Sequence, residues 1–187
     1  QVLRFEKQSE RDLAVWIARH FRAAGKSISD KLCSYLIFLT GGGMTQLAGE
    51  IEKIISYSSG PEIQRSDIDA VVSLVLNAQT FDISNAIAAG DFQLALTKLQ
   101  ELSAMQAEPI AILGAVGSQL RRLYYAKTLA ACGKGQQAFM ELTGNKSSYA
   151  ANLTFSAARN VSETFCERAV GLCLQADRDM KSSRDDP

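Results

Sequence analysis

Apolar side chains return every three or four residues almost throughout this chain, and clear strand alternation is hard to find. That period restricts the fold to one class and predicts an all-α protein. In the first segment Leu13, Trp16, Ile17, His20 and Phe21 follow helical spacing, Ser9 with Asp12 makes a capping-box pattern, and the helix should end near Gly25. Ser29 caps a second helix bearing Leu32, Tyr35, Leu36 and Leu39, which the glycines at 41–43 stop. A third carries Leu47, Ile51, Ile54 and Ile55 inward, with Glu50, Glu52 and Lys53 on or beside its wet face. "SSGP" at 58–61 is a turn, and Ser66 with Asp69 is a second capping pattern ahead of Ile68, Val71, Val72, Val75 and Leu76.

The polar run "NAQT" at 77–80 is the best candidate for a domain boundary. Beyond it Asp82 can cap a short helix through Ile87, "AAGD" breaks the pattern, and Asp91 opens a helix with Leu94, Ala95, Leu99 and Leu102. Pro109 stands in the first turn of a longer helix, where its missing N–H costs nothing. That helix shows Leu113, Val116, Leu120 and Tyr124 on one face and should end around 132–133. A short helix near Phe139 and Leu142, one over about 147–159, and a last one opened by Ser162 complete the chain. The last keeps its period through Phe165, Ala169, Leu172, Ala176 and Met180, with Asp177 and Lys181 as an i, i+4 pair.

Composition excludes more than it suggests. Twenty Lys and Arg balance twenty Asp and Glu, so no net field draws the chain to nucleic acid or an anionic membrane. Four cysteines without a CxxC pair, and one histidine, cannot supply zinc ligands at the usual spacing. They read as buried thiols of a reducing compartment, and His20 as a packed or hydrogen-bonded imidazole. No apolar run is long enough to span a bilayer and no signal-peptide layout opens the chain, which points to a soluble, cytoplasmic protein with no membrane partner. The start at Gln1 rather than methionine suggests a piece of something longer.

The glycines of "LTGGGMTQ" open onto a helix, a place where phosphate can be held. Yet no GxxxxGK[ST] frame follows and no strand precedes them, so the phosphate reading fails. No GxSxG motif occurs either, and no catalytic residue, metal site or cofactor is expected. One stretch, "GSQLRRLYYAKTLAACGKG" at 117–135, gathers Arg121, Arg122, Lys127 and Lys134 with two tyrosines. It supports an alternative reading as a helical nucleic-acid-binding module, against a solvated face or a subunit interface.

The order of motifs carries more. "GGGMTQLAGEIEKIISY", "IQRSDIDAVV", "TFDISNAIAAGDFQLALTKLQEL", "EPIAILGAVGSQLRRLYYAKTL" and "LQADRDMKSS" together resemble the delta subunit of bacterial DNA polymerase III, part of the clamp loader. That resemblance implies a small AAA+ lid-like helical domain over 1–78 and a helical-bundle collar domain over 79–187. It implies a role in subunit assembly during sliding-clamp loading in DNA replication, with no catalysis in this chain, although the parent holoenzyme is a DNA polymerase. The partners it implies are the gamma/tau and delta-prime subunits through the collar, the sliding clamp through an N-terminal AAA+ module, and primed DNA in the full assembly. ATP-binding relatives place a sensor arginine after the lid glycines; on Gly42, Gly43 and Met44 that place falls at Thr45, which lacks a guanidinium. For the collar, helical spacing puts Gln119, Arg122 and Tyr125 off the apolar stripe, where they could face a neighbouring subunit.

Overall fold

The computed structural model describes residues 8–105, 107–145 and 147–182. The fold is all-α, with ten helices and no strand among the described residues. Two compact units divide between Val75 and Leu76.

Unit 1 holds α1 (Glu10–Ala23), α2 (Asp30–Thr40), α3 (Met44–Tyr57) and α4 (Arg65–Val71). Ser9 caps α1 by accepting from the Asp12 N–H at 3.1 Å, while its hydroxyl donates to the Asp12 carboxylate at 2.6 Å. Ser29 caps α2 in the same manner through Leu32 N–H. α2 is the centre of the unit: Cys33, Tyr35, Leu36, Ile37, Leu39 and Thr40 are all buried, so it is covered on nearly every side. Leu13, Ile17 and Phe21 of α1 and Leu47, Ile51 and Ile54 of α3 complete this core. Gly41 ends α2 with φ +76° and Gly42 follows at +75°, a left-handed pair that only glycine adopts without strain.

His20, expected as a packed or hydrogen-bonded imidazole, is exposed and hydrogen-bonded: Nδ1 donates to the Trp16 carbonyl at 3.0 Å, and its ring lies tilted beside that of Trp16 at 4.0 Å. Two expectations for this unit need correction. The fourth helix is capped by Gln64 and Asp67, not by Ser66 and Asp69, because Ile63 is drawn into the core and fixes the chain two residues earlier. It also stops at Val71, leaving Val72 and Val75 outside it. Glu50, placed beside the wet face from its spacing, is only 5% exposed. Residues 71–73 cover it, and its carboxylate takes the Lys53 ammonium at 2.6 Å and the Ser73 N–H at 3.2 Å.

Across unit 1, Tyr35 ties α2 to α4. Its hydroxyl donates to Asp69 at 2.5 Å, and the Arg65 guanidinium lies over its ring at 4.5 Å. Burial, then the Asp69 carboxylate, pushes the Tyr35 phenol up to about 12.

Unit 2 holds α5 (Leu76–Ala89), α6 (Phe92–Ala104), α7 (Pro109–Ala131), α8 (Gln136–Thr143), α9 (Ser148–Ala158) and α10 (Glu163–Ser182). The polar residues 77–80 do not interrupt the chain. They form the first turns of α5, where Thr80 is buried and bonds back to the Leu76 carbonyl at 2.9 Å. Asp82 consequently lies inside α5 instead of capping it. Asp91, Ser147 and Ser162 act as caps, each side chain accepting from the N–H three residues on.

α7 is the axis of unit 2, packed by α5, α8, α9 and α10. Two apolar clusters meet along it. One joins Leu120, Leu123 and Ala126 to Phe139, Ala151, Ala158 and Cys166; the other joins Ile112 to Ile83, Ala86, Ala95 and Leu102. Phe139 is fully buried and meets Phe155 edge to face at 5.7 Å. On α10 the expected stripe departs at one position: Leu172 is exposed, while Phe165 and Ala169 pack with Cys166 and Cys173 against the core. Gly117 of α7 faces this side of α10: a Cβ there would stand 3.5 Å from Cys173 Cβ, in ordinary contact. All four cysteines are free; Cys132, expected to be buried, is exposed just past the end of α7. Burial raises the thiols of Cys33, Cys166 and Cys173, Cys33 to about 11, which makes them poor nucleophiles at neutral pH.

Candidate subunit interface

α7 carries the three residues expected to face a neighbour, and they part company. Gln119 is 5% exposed and faces α5, its side-chain amide donating to the Asn77 carbonyl at 3.4 Å. It is an internal tie and leaves the candidate set. The cause is the number of helices around α7: with neighbours on several sides, the buried surface is wider than a single stripe and takes in position 119. Arg122 is half-buried, and burial, then the charge of Arg121, lowers its pKa. Tyr125 is 42% exposed.

The basic residues of 117–135 do not form one face. Arg121 approaches Cys173 of α10, and Lys134 lies beyond the last turn of α7. Tyr124 is engaged with an acid: its hydroxyl donates to Glu167 at 2.9 Å, which raises the phenol's pKa. A continuous basic surface, the requirement of the nucleic-acid reading, is therefore broken by helix ends and acidic neighbours.

The feature that spacing missed lies on α6. Phe92 and Leu96 are 58% and 55% exposed, and Leu99 is exposed beside them at helical spacing. With Ile112 and Val116 of α7 and Met180 of α10 they line an apolar groove of about 590 Å³. Ile83 and Ile87 of α5 line it as well. A contiguous apolar surface of this kind on a folded unit marks a contact site more often than a solvated face. The sequence held a signal for it: α6 has leucines at 94, 96 and 99, more apolar positions than one buried stripe of Ala95 and Leu102 can use.

In unit 1, Thr45 sits exposed in the first turn of α3, whose N-cap Gly43 offers no side-chain bond. Among the described residues no group of three His, Cys, Asp or Glu side chains is arranged to hold a metal. No described helix is long and apolar enough to cross a membrane.

Residues 77–187, the whole of unit 2 but its first residue, match the family model described as DNA polymerase III delta subunit, C-terminal domain. The chain belongs to this family. Among curated proteins, it is 27% identical over 135 residues to the probable DNA polymerase III subunit delta of Aquifex aeolicus, covering 71% of this chain and 39% of that protein. It is 24% identical over 164 residues to DNA polymerase III subunit delta of Bacillus subtilis, covering 86% of this chain and 46% of that protein. The chain thus spans less than half the length of these relatives. Among solved structures, the Bacillus subtilis DNA clamp loader delta protein superposes with a TM-score of 0.71 at 21% identity, over 95% of this chain and 52% of that one. That likeness extends the shared fold through unit 1 as well.

Proposed function

We propose that this chain is the lid and collar part of a bacterial clamp-loader delta subunit, acting in sliding-clamp loading during DNA replication. Unit 1 is then the AAA+ lid-like domain and unit 2 the collar that joins neighbouring subunits, gamma/tau and delta-prime, in the cytoplasm. The observation that carries this reading is the family match over unit 2 together with an apolar groove on that same unit. The groove is built to take an apolar helix face, with Phe92, Leu96 and Leu99 as one wall. Arg122 and Tyr125 lie on α7 away from Val116 by helical period and form a second, smaller contact candidate.

Thr45 supports a lid that keeps its glycine turn without an ATP-sensing cation. In the family the clamp-gripping surface lies on the AAA+ module, which these 187 residues do not include, so this part assembles without opening the clamp. Primed DNA is met only in the full assembly.

The test is to mix the chain with the gamma/tau and delta-prime subunits and measure the mass of the complex. Co-assembly is expected, with Leu96→Asp abolishing it and Arg122→Glu weakening it, while helicity stays unchanged. No complex with the unsubstituted chain would refute the assembly role; normal assembly of the Leu96→Asp chain would remove the groove from it.

A further inference from the structure

Residues 72–75 lead out of unit 1 without helical structure, yet the backbone N–H groups of Val72, Ser73 and Val75 are all bonded, to the Ile68 carbonyl, the Glu50 carboxylate and the Leu39 carbonyl. Lys53, on α3, donates its ammonium to the Val71 carbonyl at 3.0 Å and to the Ser73 hydroxyl at 3.2 Å. Val71 is the last residue of α4, so its carbonyl has no partner within the helix, and Lys53 supplies one. Glu50, one turn earlier on α3, accepts the Ser73 N–H at 3.2 Å and holds Lys53 at 2.6 Å. Two residues on, the Val75 N–H donates to the Leu39 carbonyl at 2.9 Å, close to the end of α2.

The acid and the base are unequal in environment. Glu50 is buried, whereas the Lys53 side chain is 44% exposed. A buried carboxylate is sustained by charged and N–H donors, and here both come from the pair of elements it joins, α3 and the exit segment. The arrangement does not serve the unit's core, which α1, α2 and α3 fill with apolar side chains. It serves the backbone of 71–73.

We propose that Glu50 and Lys53 form a latch that holds residues 71–73 on α3, making the exit segment 72–75 a structured extension of unit 1. Release of the latch frees Ser73 from α3, while the backbone bonds of Val72 to Ile68 and of Val75 to Leu39 remain.

Hydrogen exchange on the intact chain reads the latch directly. In the unsubstituted protein the Ser73 and Val75 amides are expected to exchange far more slowly than in a free peptide. Lys53→Met, nearly isosteric and partly exposed, is expected to speed Ser73 exchange at least tenfold, and Val75 less, since its Leu39 partner remains. Ile54, in the core of α3, should keep its protection. Glu50→Gln, which retains an acceptor but no charge, should give an intermediate Ser73 rate. Chymotrypsin supplies a second readout, because Leu74 is partly exposed and becomes cleavable once the segment detaches. Fast Ser73 exchange in the unsubstituted chain would overturn the proposal. So would unchanged Ser73 exchange and Leu74 cleavage in Lys53→Met, or loss of Ile54 protection along with Ser73, which would make the pair a general support of unit 1.

Discussion

Gly117 offers a test in which two substitutions at one position move stability in opposite directions. It is buried in the middle of α7, where glycine costs about 1 kcal/mol relative to alanine through the freedom it loses on folding. A Cβ built there would lie 3.5 Å from Cys173 Cβ, 3.7 Å from an Arg121 guanidinium nitrogen and 3.9 Å from Cys173 Sγ. The carbon–carbon distance is ordinary van der Waals contact, so one methyl adds attraction without a clash. Gly117→Ala should therefore stabilise unit 2 by about 0.5–1 kcal/mol. Gly117→Leu adds three more carbons against the same wall, and overpacking of that kind costs about 1–3 kcal/mol. The expected net change for leucine is a loss of about 1–2 kcal/mol. Urea unfolding followed by circular dichroism measures both, as shifts in midpoint at constant slope. The reasoning fails if alanine destabilises the protein, since α7 and α10 would then lie closer than 3.5 Å of carbon contact permits. It fails equally if leucine is as stable as alanine, since α10 would then not be packed on Gly117.

Two further outcomes follow from particular side chains. Phe139→Ala empties a fully buried site against Phe155 and should cost about 3–5 kcal/mol, seen as a large fall in the thermal midpoint. Tyr35 ionises at about 12 in the folded protein against an ordinary value near 10, so the folded state holds its proton where the unfolded chain has lost it. Its contribution is fully present below pH 10 and is lost as pH rises from about 10 to 12. Tyr35→Phe should lose less stability across that window than the unsubstituted chain, as read by urea midpoints at pH 9 and pH 11.5.

What the sequence made legible is what depends on near neighbours. Helical period and side-chain caps act within four residues, so the all-α class and the caps at Ser9, Ser29, Asp91 and Ser162 could be read from the chain. Glu50 could not, because its burial is imposed by Ser73, which folds back from twenty-three residues away. Two cap patterns overlapped near residue 65, and the buried Ile63 chose between them. On α10, Leu172 and Cys173 are adjacent positions, and packing on the distant helix α7 turns the thiol inward and not the leucine. Gln119 was misplaced because a helix with several neighbours has no single inner face, and Phe92 and Leu96 were overlooked because apolar residues are ordinarily assigned to a core.

The glycine pair at 41 and 42 has a consequence in chirality. A side chain added to Gly42 in the natural hand would find room, touching Leu13 at 3.4 Å and Ile37 at 3.6 Å, but in a backbone conformation unfavourable to that hand. What this turn requires is therefore a residue without handedness, or one of the opposite hand. A mirror-image alanine would occupy the same φ without that strain and with less freedom to lose. The turn between α2 and α3 is in this sense written in the stereochemistry of the backbone more than in any side chain.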